Sequence, residues 1–151
     1  MTYKEVYGDL FSAGSEPLYV HCISADFVLG AGIAAEFTRR GVKAELRSIY
    51  PMNVWYGEGY GLSTAMSGGC MVYNLVTKAK CNDKPTIATL QGALDSLKEY
   101  VIARNVTQIV MPKIGCGLDG LNWDDVSLLI IDTFADVNVN IVVYKEKKRW
   151  K

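Results

Sequence analysis

The sequence is poor in metal ligands. It holds one histidine and four cysteines, Cys22, Cys70, Cys81 and Cys116, and no two of these form a C-x-x-C pair. A structural zinc site draws on clustered cysteines and histidines, so none is expected, and no residue pattern calls for a metal or other cofactor. A basic excess is also missing: 16 lysines and arginines balance 16 aspartates and glutamates. Proteins that grip duplex nucleic acid by its phosphates usually carry surplus positive charge. The one basic cluster, Lys145-Glu-Lys-Lys-Arg-Trp-Lys151, reads first as a solvated tail. There is no apolar run long enough to span a membrane, and no basic segment leads into an apolar core at the N-terminus. Scattered cysteines without an export signal fit a reducing, intracellular setting, so a cytoplasmic location is expected. No heptads are present, and a monomer is the default expectation.

What is present suits a folded domain. The 151 residues are half hydrophobic and about one-fifth charged, enough for a single domain with a sizeable core. The stretch Met111-Pro-Lys-Ile-Gly-Cys-Gly-Leu-Asp119 stands out. Val106 to Val110 before it is rich in β-branched residues and reads as a buried strand. Asn122-Trp-Asp-Asp after it reads as a capped helix start. Pro112 to Leu121 is therefore a glycine-bearing loop that leaves a strand's carboxyl end and feeds a helix, where ligands bind in α/β sheets. It matches neither the dinucleotide fingerprint nor the Walker loop, and by itself it is equally a plain turn.

A second unit of this kind lies near the N-terminus. Leu18 to Ile23 is apolar on both faces and reads as a central strand. Ser24 to Gly32 is its glycine loop, and a short helix with Ile33 and Phe37 one turn apart stops at Gly41. Around these units, Thr2 to Tyr7 reads as an opening strand, Ser12 to Pro17 as turns, and Lys43 to Asn53 as a short helix and its exit. Gly61 to Met66 and Cys70 to Thr77 read as strands about Ser67-Gly68-Gly69. Pro85-Thr86 opens a long helix carrying Ile87, Leu90, Leu94, Leu97 and Val101 at helical spacing. Val126, Leu129, Ile130 and Phe134 make the inward stripe of the last helix, and Asn140 to Tyr144 closes the sheet. Val54 to Gly61 fits no element. The pattern predicts one α/β domain over residues 1–151, with helices on both faces of a mixed sheet.

Several of these residues together resemble a known family. Gly8-Asp9-Leu10, the loop Ala25 to Ile33 with Gly30-Ala31-Gly32-Ile33, and Pro112 to Asp119 followed by Trp123 are similar to the macrodomain, the ADP-ribose-binding fold, in order over nearly the whole chain. Leu75-Val-Thr-Lys78 and Lys84-Pro85-Thr86 bring the likeness closest to the branch of the terminal ADP-ribose glycohydrolase and the antitoxins that reverse DNA ADP-ribosylation. ADP-ribose 1″-phosphate phosphatases are near neighbours. The resemblance implies a three-layer α/β/α fold with a mostly parallel sheet. It also implies roles. Asp9, with Leu10 beside it, would take the adenine amino group. Gly30, Ala31, Gly32 and Ile33 would wrap the distal ribose and diphosphate with backbone amides. Pro112, Ile114, Gly115, Cys116, Gly117 and Leu118 would form the second phosphate loop. Two amide-rich loops at helix N-termini would bind a diphosphate without a basic patch.

The same resemblance makes Lys78 and Asp119 the catalytic pair. Asp119 would serve as general acid and base, and Lys78 would attack the anomeric carbon to give a covalent lysyl intermediate. The amine must be neutral to attack, and Lys80 and Lys113 are candidate cationic neighbours. Many macrodomain hydrolases carry an asparagine just after the strand ending at Ile23. Here Ser24, Ala25 and Asp26 follow, which leans toward the lysine route, with Ser24 at the ribose. Three activities are implied: hydrolysis of ADP-ribose from a protein carboxylate or nucleobase, phosphatase action on ADP-ribose 1″-phosphate, and non-catalytic reading of ADP-ribosylated partners. The partner is thus ADP-ribose or an ADP-ribosylated protein or nucleic acid, and no membrane. Each residue also has a plainer role: Lys78 a solvated strand end, Asp119 a cap, Asp9 a strand terminator, His21 a satisfied core histidine. Cys116 has no evident base and is not assigned as a nucleophile.

Overall fold

A computed structural model describes residues 1–50, 54–116 and 119–146. The strands are β1 (Thr2–Tyr7), β2 (Leu18–Ser24), β3 (Tyr60–Ala65), β4 (Met71–Lys78), β5 (Gln108–Pro112) and β6 (Asn140–Lys145). The helices are α1 (Gly32–Arg39), α2 (Val42–Ile49), α3 (Ile87–Arg104) and α4 (Trp123–Phe134), and Leu10–Ala13 forms a 3-10 turn. The six strands form one sheet in the order β1-β6-β5-β2-β4-β3. Every neighbouring pair is parallel except the hairpin β3–β4.

The sequence pattern places these elements well, with instructive differences. β6 does close the sheet, but by entering between β1 and β5 rather than adding an edge. Alternation cannot distinguish the two, because both placements bury Ile141 and Val143. β5 starts at Gln108, two residues later than the β-branched run suggests, because Val106 and Thr107 carry the chain out of α3. The last strand residue is Pro112, at a strand end where its missing N–H costs nothing. Ser12 lies within the 3-10 turn rather than opening a loop. The helix expected over Lys43 to Asn53 is α2, ending at Ile49, and residues 51–53 lie outside the described residues.

The sheet separates two cores. On one face Leu90, Leu94 and Leu97 of α3 and Val126, Ile130 and Phe134 of α4 pack on Val20, Leu75, Met111 and Val143. On the other, Phe37 of α1 and Val42 and Leu46 of α2 pack on Tyr19, Ile23, Val72 and Val76. This is the α/β/α layering expected of alternating elements. α3 is set by Thr86, whose hydroxyl accepts from the Thr89 amide while Thr89 returns the bond, and it stops at Asn105 in the left-handed conformation.

Because β1, β6, β5, β2 and β4 all run the same way, their carboxyl ends share one edge of the sheet. β2 feeds α1 on one face, and its neighbour β5 feeds α4 on the other. Adjacent strands whose connections part to opposite faces open a crevice at their carboxyl ends.

Candidate active site

The loop after β2 rises from that crevice on buried anchors. Phe27 and Leu29 are buried while Val28 and Gly30 face out, and both anchors adopt positive φ, 53° and 43°. Such angles strain residues with a Cβ, so the core contacts of the two side chains must hold the loop in shape. The Leu29 carbonyl accepts from the Thr38 hydroxyl at 2.9 Å, tying the loop to α1. Gly30, Ala31 and Gly32 are exposed and Ile33 is half-buried. α1 begins with Ala31 as its N-cap, and no side chain caps it. The first amides of α1 are therefore open to an anion, and the helix dipole favours one there.

Asp26 buttresses this loop, a role the sequence pattern missed. Its carboxylate accepts from the Ser24 hydroxyl, from the Val28 amide at 3.3 Å and from the Cys81 amide at 2.9 Å. Burial raises its pKa, but these hydrogen bonds outweigh that and hold it below the usual carboxylate range. The Cys81 bond fastens the first loop to the segment after β4. Ser24, buried at 5% exposure, spends its hydroxyl on Asp26.

The second loop is built differently. Ile114 is sunk in the core and Gly115 turns at φ 72°, with its carbonyl accepting from the Leu121 amide at 2.9 Å. Cys116 is half-buried, and burial pushes its thiol pKa up, against a reactive thiolate. Gly117 and Leu118 lie outside the described residues. The helix beyond is capped by a side chain. Asn122 caps α4 by accepting from the Asp125 amide, and Asp124 and Asp125 occupy its first turn. Of the two helices that follow these loops, α1 starts without a side-chain cap and α4 with one, where the sequence suggested two open starts. Trp123 fixes the loop's exit by donating to Glu5 at 3.1 Å.

Lys78 ends β4 in register with Ser24 of β2, and Thr77 is passed over in that pairing. Bulges of this kind re-aim side chains beside active sites. The Lys78 amine meets Asp119 Oδ1 at 2.7 Å and the Cys81 carbonyl at 3.1 Å. Both side chains are largely shielded, at 14% and 17% exposure. The structure thus brings together the lysine and aspartate that lie 41 residues apart. The partner it gives the amine is an anion rather than the cations Lys80 or Lys113, and the Lys113 ammonium stands over the Trp123 ring at 5.7 Å. Cys22, which the sequence reading passed over, lies close by: burial raises its thiol pKa, while Gly115 hydrogen-bonds to it and Lys78 and Asp119 both act on it.

Asp9 stands apart from this pair, after β1 on the same edge. Its Oδ1 accepts from the Phe11 amide at 3.0 Å and caps the 3-10 turn. The carboxylate also lines a cleft of about 390 Å³ with Phe11, Gly32, Ile33 and Arg40. Leu10 is buried in the core below. His21 is fully buried. Asn74 Nδ2 donates to Leu62 and Thr64, so Asn74 Oδ1 must accept from His21 Nε2–H, and Nδ1 has no partner among the described residues. The His21 ring stacks on Phe37, sealed beneath α1, and burial lowers its pKa to about 4.

An α/β/α sheet with a β2/β5 crevice, an uncapped helix beside it and a lysine–aspartate pair at its lip is the architecture of an α/β ligand-binding domain. The Macro domain family model matches residues 20–130, and the chain belongs to this family. Among its relatives, the human ADP-ribose glycohydrolase OARD1 is 37% identical over 140 residues, covering 92% of this chain and 88% of that protein. The DNA ADP-ribosyl glycohydrolase of Mycobacterium tuberculosis is 28% identical over 144 residues, 91% of this chain but 40% of that longer protein. The solved macrodomain of Mycobacterium tuberculosis DarG superposes with a TM-score of 0.79 at 25% identity, over 97% of this chain and 99% of that one.

Proposed function

We propose that this chain binds ADP-ribose and hydrolyses the bond at the anomeric carbon of its distal ribose, freeing it from a modified carboxylate or nucleobase. The observation that carries the reading is the shielded 2.7 Å contact between Lys78 and Asp119 at the mouth of the crevice. The names of the relatives, ADP-ribose and DNA ADP-ribosyl glycohydrolases, support it. The diphosphate would lie over the open amides of α1, and the adenine would reach the cleft lined by Asp9.

The pair supplies the acid–base chemistry. The Lys78 amine attacks only once it has given up its proton. Its proton passes to Asp119 Oδ1, leaving a neutral amine and a carboxylic acid. The amine nitrogen bonds to the anomeric carbon as the bond to the departing group breaks, and Asp119 protonates that group. Asp119 then takes a proton from water, whose oxygen displaces the lysine nitrogen. Proton return from Asp119 restores the ion pair. The phosphatase alternative gains nothing from the structure, because His21, the one imidazole that could serve a phosphatase as acid, is sealed under α1.

Mass spectrometry of the protein incubated with ADP-ribose tests this. We expect an adduct on Lys78 that Lys78→Ala lacks, and turnover lost in Asp119→Ala while ADP-ribose still binds. Unchanged turnover in Asp119→Ala removes the aspartate from the mechanism. Phosphate release from ADP-ribose 1″-phosphate by Lys78→Ala would favour the phosphatase instead.

A further inference from the structure

The Lys78 amine is held by two acceptors, Asp119 Oδ1 at 2.7 Å and the Cys81 carbonyl at 3.1 Å. Asp119 exchanges protons in the reaction, whereas the Cys81 carbonyl can only hold an N–H. Cys81 lies in a turn that follows β4 and is closed by its own bonds. The Asp83 amide donates to the Lys80 carbonyl at 2.9 Å, and the Lys80 amide donates to Asp83 Oδ2 at 3.0 Å. Residues 80–84 are exposed, so polar contacts rather than burial set where the turn stands.

Asp26 supplies such a contact, and its two oxygens face different partners. Oδ1 accepts within its own loop, from the Ser24 hydroxyl and from the Val28 amide at 3.3 Å. Oδ2 accepts from the Cys81 amide at 2.9 Å. One residue earlier, the Ala25 amide donates to the Lys78 carbonyl at 2.9 Å. The end of β2 therefore grips both ends of the run 78–81, and the lysine side chain closes the ring on the Cys81 carbonyl. A neutral amine has two N–H bonds and one lone pair. With its third proton on Asp119, an N–H kept on the Cys81 carbonyl restricts where the lone pair points. Such aim matters, because a misplacement of about 1 Å can cost roughly 100-fold in rate.

We infer that Asp26 is a positioning residue for the hydrolytic step: by holding the Cys81 amide it fixes the Cys81 carbonyl, and so aims the Lys78 amine at the anomeric carbon. This rests on the hydrolase reading for the role of Lys78. Asp26 acts through Cys81 rather than on the substrate, and one carboxylate joins the loop after β2 to the turn that carries the anchor of the amine.

Asp26→Asn tests this. An asparagine whose Oδ1 stays on Ser24 and Val28 sets its Nδ2 against the Cys81 amide, donor against donor. The loop after β2 keeps its bonds and the turn loses one. The substrate is an ADP-ribosylated peptide or oligonucleotide, whichever the native protein turns over. We expect kcat to fall about 10- to 100-fold, with KM and the Kd for ADP-ribose by calorimetry within about threefold of native. Exchange of the Cys81 amide hydrogen, followed by NMR in the free protein, should quicken about tenfold. Native kcat beside faster exchange would mean that the link does nothing for the amine, and overturns the proposal. So does unchanged exchange, or a fall in kcat matched by an equal loss of affinity, which would confine Asp26 to shaping its own loop. If the native protein turns over neither substrate, the hydrolase reading fails instead, and the exchange comparison still reads whether Asp26 holds the turn.

Discussion

The two loops that frame the crevice leave neighbouring parallel strands and sit a few ångströms apart in the sheet, yet they are held by opposite means. The loop after β2 carries its strain on residues with side chains. Phe27 and Leu29 take positive φ because their rings and methyls are locked in the core, and the helix beyond is left uncapped. The loop after β5 puts its positive φ on Gly115, where no Cβ resists, and closes its helix with Asn122 and two aspartates. The first is a rigid surface of open amides suited to an anion. The second delivers one carboxylate, Asp119, to Lys78. An open helix start and a placed carboxylate are thus divided between two turns of similar sequence appearance, by core anchoring on one side and capping on the other.

Removing an anchor should break the comparison most. Phe27→Ala should destabilise the protein by about 3–5 kcal/mol, since it leaves a cavity and releases a strained turn. Urea unfolding would measure it, and a loss below about 1 kcal/mol would mean that the loop holds itself. The next effect is confined to pH and to the first half. His21 is the only histidine in the chain, and its pKa is near 4 in the fold because burial disfavours the cation. In the unfolded chain it titrates near 6.5, so between these values the unfolded state binds the extra proton and stability falls as pH falls. We expect about 3 kcal/mol to be lost from pH 6.5 to 4, and His21→Asn to flatten that slope, as chemical denaturation at several pH values would show. The smallest effect should come from the second loop. Gly115→Ala places a Cβ in the left-handed region, 2.9 Å from the movable Leu121 methyl, and should cost about 1–2 kcal/mol. Thermal unfolding matching the native protein would show that the turn relaxes freely.

Much of this architecture is legible along the chain. β2 reads as central because it is apolar on both faces, and α3 is marked by its Thr86 cap and leucine spacing. The resemblance in the two loops led to Lys78 and Asp119, which the fold sets in contact. The misses have physical causes. Asp26 looks like any loop aspartate until Cys81 is folded against it, 55 residues away. Asn122 is legible as a cap in the sequence, whereas the open start at Ala31 shows only once the boundary of α1 is known. The segment after residue 53 has no periodicity because its shape comes from Gly59 lying on α3.

The chain's own pattern of apolar periods, caps and glycines determined which segments are strands and helices, and that two glycine loops follow buried strands, because those signals act over a few residues. That β6 slips between β1 and β5, that the amine meets a carboxylate rather than another lysine, and that Trp55 and Tyr56 gather on the Tyr60 ring were decided only in three dimensions. Each depends on pairing between segments tens of residues apart, and the register of a sheet is fixed by burial across the whole core rather than by any one strand.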